Sequence, residues 1–61
     1  MLGISDYNMT YNIAYSVAKE YNEKYVIMQL EDGSYAFQLN PNNYFKTGMT
    51  DILGNKIICE I

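Results

Sequence analysis

Two apolar-rich runs, Tyr25-Val26-Ile27-Met28-Gln29-Leu30 and Tyr35-Ala36-Phe37-Gln38-Leu39, flank Glu31-Asp32-Gly33-Ser34, and Asp-Gly is a preferred pair for a two-residue hairpin turn. With Asp32 and Gly33 as that turn, Leu30 falls opposite Tyr35, Met28 opposite Phe37 and Val26 opposite Leu39. Every pair on that face is apolar. Tyr25, Ile27 and Gln29 then stand opposite Asn40, Gln38 and Ala36 on a mostly polar outer face. A slip by one residue would oppose apolar to polar sets, so turn chemistry and pattern agree on this register.

Two periodicities compete over residues 6–24. Tyr7, Met9, Tyr11, Ile13, Tyr15 and Val17 alternate with small or polar residues, as in a half-buried strand. A helical projection instead gathers Tyr7, Tyr11, Ile13, Ala14, Val17, Ala18 and Tyr21 on one face and leaves only Met9 misplaced. Ser5 and Asp6 are N-cap residues by type, Lys19/Glu23 and Glu20/Lys24 are opposite charges four apart, and Ala14 and Ala18 favour helix. The helix is the preferred reading. Tyr7 and Tyr11 are expected against the sheet, and Tyr15 at the exposed border.

Asn40-Pro41-Asn42-Asn43 is loop by composition, and Tyr44-Phe45-Lys46-Thr47-Gly48 has no readable period. Gly54-Asn55 suits either a second hairpin or the end of a short helical turn begun at Thr50. Ile57-Ile58-Cys59-Glu60-Ile61 reads as a strand with Ile57, Cys59 and Ile61 inward. The expected fold is α+β: one N-terminal helix on a small, mostly antiparallel sheet of three or four strands, in a single domain over residues 1–61. An all-β arrangement is the alternative.

Chemistry-bearing residues are scarce. Histidine is absent and Cys59 is the single cysteine, so an internal disulfide is excluded and a zinc site would lack its usual ligands. Glu31-Asp32 is the one adjacent acidic pair, and it falls on the hairpin turn. Gly3, Gly33, Gly48 and Gly54 form no phosphate-binding loop. Neither a cofactor nor a metal is expected, and the chain is read as no enzyme. Four lysines, no arginine and seven acidic residues give a net charge of −3, which disfavours direct nucleic-acid binding. No apolar run is long enough to span a membrane. The opening Met1–Asp6 lacks the pattern of a secretory leader, and a lone thiol fits a reducing compartment, so a cytoplasmic location is expected.

Seven tyrosines and two phenylalanines exceed what so small a core encloses, and tyrosine is enriched at protein interfaces. Candidate partner-binding residues are Tyr15 on the helix border, Tyr25 and Ile27 on the outer sheet face, Tyr44 and Phe45 in the loop, and the carboxylates Glu20, Glu23, Glu31 and Asp32. Together these features favour a non-catalytic protein-binding domain. One version is an inhibitor or modulator from a phage or other mobile element, acting on a nucleic-acid-handling enzyme. The alternative is a small homodimeric accessory touching nucleic acid weakly through Lys46 and Lys56.

Overall fold

Helix α1, Tyr7–Tyr21, begins where Asp6 supplies a capping oxygen. Asp6 Oδ1 accepts the backbone N–H of Asn8 at 2.9 Å and of Met9 at 3.3 Å, satisfying two donors that a helix start leaves without partners. Thr10, Ala14 and Ala18 form a buried seam while Asn12 and Ser16 between them are exposed, which the helical period gives and a strand's alternation does not. The helix closes at Asn22, which adopts a left-handed conformation (φ 52°), with the Glu23 N–H bonded to the Ala18 carbonyl at 3.0 Å in a Schellman-type ending. Glu23 and Lys24 thus lie beyond the helix. The expected charge pairs with Lys19 and Glu20 are not pairs along one helix.

The computed structural model describes residues 3–61; Met1 and Leu2, the first residues of the Met1–Asp6 opening, lie outside the described residues. Strands β1 (Tyr25–Gln29), β2 (Tyr35–Leu39) and β3 (Lys56–Glu60) form one antiparallel sheet in the order β2-β1-β3. The fold is α+β, one helix on three strands.

The hairpin register differs from the expected one by a residue. Tyr25 pairs with Leu39, Ile27 with Phe37 and Gln29 with Tyr35. The cause lies in the turn: Leu30 N–H bonds to the Ser34 carbonyl at 2.8 Å and Gly33 N–H to the Leu30 carbonyl at 3.0 Å. The loop is therefore three residues, Glu31-Asp32-Gly33, a type I turn closed by Gly33 at φ +90°. Added to the pleat, that one residue exchanges the two faces of β1 relative to β2. Tyr7 of the helix meets Tyr35 edge-on, ring centroids 5.4 Å apart, so α1 covers the face of Tyr25, Ile27, Tyr35 and Phe37. The side of β1 expected to be uncovered is the one beneath the helix, where Ile27 is 0% exposed, while β2 keeps Tyr35 and Phe37 on the covered side as expected.

The opposite face is also covered. Val26, Met28, Ala36 and Ile57 form a cluster against which Leu30, Phe45 and Met49 pack. Phe45 reaches it because Asn40, buried, clamps the loop: its Oδ1 accepts the Phe45 N–H at 2.7 Å and its Nδ2 donates to the Phe45 carbonyl at 3.1 Å. Between them runs a 3₁₀ turn, Pro41–Asn43. In β3 the register shifts beside Ile27 and Met28, so Cys59 stands opposite Ile27 and Ile57 opposite Met28. A bulge at this point sends Cys59 to the helix side and Ile57 to the loop side, rather than all of Ile57, Cys59 and Ile61 to one face. Of the two readings of Gly54-Asn55 the hairpin holds: Thr50 bridges Lys56.

Two substitutions test this packing by urea denaturation. Ala14→Leu is expected to cost about 1–3 kcal/mol by forcing the helix off the sheet. Asn40→Ala is expected to cost about 1–3 kcal/mol by leaving both polar groups of the Phe45 backbone without a partner. Asn12→Ala, on the solvent side of α1, should stay within about 0.5 kcal/mol of the parent.

Candidate interaction surfaces

Four tyrosines form a continuous line from the sheet to solvent. Tyr35 in β2 holds Tyr7 edge-on; Tyr7 and Tyr11 lie 6.4 Å apart, and Tyr11 and Tyr15 are stacked at 6.2 Å with planes 14° apart. Lys19 Nζ closes the line 5.7 Å above the Tyr15 ring. The spacing follows from four-residue steps along the helix. Tyr15 is 46% exposed, and Tyr11 also lies on the exposed edge rather than against the sheet as expected. Of the helix tyrosines only Tyr7 is half-buried, and the neighbouring Cys59 thiol, helped by desolvation, raises its pKa.

The helical period places Glu20 on the other edge of α1, with the exposed Met9 and Ile13. Glu23 follows the helix end, and Glu31 and Asp32 sit on the hairpin tip. The candidate carboxylates are thus divided among the helix, the segment just after it and the hairpin tip. Asp32 is also engaged internally, accepting the N–H and hydroxyl of Ser34. Of the aromatic candidates, Tyr25 is half-buried beside Phe37, ring centroids 6.0 Å apart. Ile27 is interior. Phe45 plugs the loop-side core, while Tyr44, edge-on to it at 5.0 Å, is exposed.

A second surface escapes the sequence reading. Asp51-Ile52-Leu53-Gly54-Asn55 repeats the hydrogen bonding of the first hairpin loop: Asp51 N–H to the Asn55 carbonyl at 2.9 Å, and Gly54 N–H to the Asp51 carbonyl at 3.0 Å. Ile52 and Leu53 thereby occupy the turn centre. The signal was present in Gly54, three residues after an aspartate, which marks the left-handed residue closing such a loop. Two apolar letters in between read more readily as strand.

No three metal-ligating side chains come together among the described residues, and no helix among them is long and apolar enough to cross a membrane. The surfaces offer shape and apolar contact. Comparison with protein-family models, with curated proteins and with solved structures finds no match to this chain.

Two carboxyls are held below their ordinary range by bonds that close turns. For Asp32 the cause is first the Ser34 hydroxyl and then the Ser34 N–H. For Glu60 it is first the Thr47 N–H and then the Thr47 hydroxyl, with Lys46 adding to it. A carboxyl with a depressed folded pKa contributes stability that is complete above the unfolded value, about 3.9–4.3, and lost as pH falls through the folded value. The contribution of these two carboxyls to the melting temperature should therefore be lost on acidification below the ordinary carboxylate range. Ser34→Ala and Thr47→Ala should each make that fall shallower in thermal melts followed by circular dichroism. Acid limbs that superimpose on the parent's would refute the assignment.

Proposed function

We propose that this chain is a non-catalytic domain that binds a partner protein through the Tyr11–Tyr15 edge of its helix. The stacked line rooted in Tyr35 and ending at Lys19 carries the reading. Tyrosine rings already ordered in the free chain offer contact area with little side-chain freedom left to lose on binding. The finer version is an inhibitor or modulator, of phage or other mobile-element origin, that engages a nucleic-acid-handling enzyme on its basic surface. Glu20 near the end of the helix, Glu23 just beyond it and Glu31 on the hairpin tip would steer the encounter through the net negative field.

Capture from a host extract with the tagged full chain, followed by binding kinetics on the isolated pair, tests this. Tyr15→Ala should weaken the complex about tenfold or more through faster dissociation. Glu20→Lys with Glu23→Lys should slow association and reduce its salt dependence while leaving dissociation nearly unchanged. Parent-like kinetics in both variants would overturn the proposal. A band shift of DNA or RNA at low salt, abolished by Lys46→Ala and Lys56→Ala, would favour the nucleic-acid accessory instead.

A further inference from the structure

Ile52 is 99% exposed and Leu53 78%, at the two central positions of a turn whose backbone is held from several sides. Asp51 Oδ1 accepts the N–H of Leu53 at 3.0 Å and of Asn55 at 2.8 Å, and Asp51 Oδ2 accepts Asn55 Nδ2 at 3.1 Å. Gly54 takes the left-handed conformation at φ +86°, with nothing within 4 Å of where a side chain would start. The turn is therefore specified by Asp51, Gly54 and Asn55, and its apolar pair stands on a fixed support.

Beside this knob lies a groove of about 490 Å³, walled on one side by Tyr44, Phe45 and Met49 and on the other by Ile52 and Leu53 themselves. Tyr44 is 66% exposed. A knob and a matching hollow side by side on one chain are self-complementary, because a two-fold rotation that seats one knob in the partner's groove makes the reciprocal contact at the same time.

We infer that the Ile52–Leu53 tip docks in the Tyr44–Phe45–Met49 groove of a second copy of this chain, forming a two-fold dimer. The thinness of the monomer core favours a second copy as the occupant. The buried apolar side chains among the described residues are Val26, Ile27, Met28 and Ile57 with the alanines 14, 18 and 36. The one cysteine leaves no internal disulfide. Chains of this size commonly draw the missing burial from association, and a copy of the chain is the one partner present wherever the chain is made. Exposed Tyr44, Ile52 and Leu53 already form an apolar patch of the kind that marks contact sites. Charge does not oppose it, since the neighbouring hollows at this end carry Lys56 as well as Glu31 and Asp32. The dimer leaves the Tyr11–Tyr15 edge untouched and stands or falls independently of that surface.

Sedimentation equilibrium over a concentration series tests the inference with the full chain. The parent should move from 7.1 kDa toward twice that mass as concentration rises, and its melting temperature should rise with concentration. Ile52→Ser with Leu53→Ser, at positions the monomer fold does not use, should weaken association about a hundredfold with an unchanged circular dichroism spectrum. Tyr44→Ser, on the groove wall, should weaken it in the same direction. A parent that stays monomeric throughout, or a dimer whose dissociation constant neither variant changes, would overturn it.

Discussion

Val26, Ile27 and Met28 are consecutive, and consecutive side chains of an extended strand point to opposite faces of the sheet. All three are buried. A 61-residue chain must then cover its central strand from both sides, and the remaining architecture follows from that demand. The helix can come close on one face because its seam is Thr10, Ala14 and Ala18. The other face has no second helix to cover it, so the irregular segment after β2 does so with Phe45 and Met49. Strand β3 serves both cores because its register shift sends Ile57 one way and Cys59 the other.

The same demand separates what could be read from the sequence from what could not. The existence and start of helix α1 are legible because a cap and a helical face are local features that Asp6, Ala14 and Ala18 supply, whereas its end at Asn22 is masked by Glu23 and Lys24, whose charges continue the helical spacing. The two strands of the first hairpin were equally legible. Their register was not, because an uninterrupted apolar run fits either face and removes the alternation that would discriminate. The turn alone then decides, and Glu31-Asp32-Gly33 accommodates three loop residues as readily as Asp32-Gly33 accommodates two. Residues 40–55 resisted for a different reason. Their shape depends on bonds from Asn40 to Phe45 and from Thr47 to Glu60, thirteen positions away, which no local pattern announces. On the candidate surfaces, Tyr15 lies at the exposed helix border as expected, whereas the exchange of the faces of β1 takes Ile27 into the interior.

The chain's polar chemistry is largely committed to its turns. Each of the three aspartates bonds backbone N–H groups two to four residues ahead: Asp6 to Asn8 and Met9, Asp32 to Ser34, Asp51 to Leu53 and Asn55. Glu60 holds Thr47 in the same way. A small domain with thin apolar layers gains from such closures, because each fixes a loop that packing alone would leave free. The carboxylates beyond these, Glu20, Glu23 and Glu31, are dispersed over the surface. Contact by rings and aliphatic side chains is what the remaining surface offers.

The two exposed apolar groups differ in what the fold requires of them. Tyr11 and Tyr15 continue a line that begins at Tyr35 inside the structure, so part of their placement is a consequence of packing the helix on the sheet. Ile52 and Leu53 have no such debt. The first hairpin achieves the same loop geometry with Glu31 and Asp32 at the equivalent positions, so a charged pair satisfies the backbone there just as well. Placing isoleucine and leucine at the second loop leaves apolar surface in water without improving the turn. The backbone of the turn therefore does not require these two side chains, and the two-fold contact we infer would give them a partner.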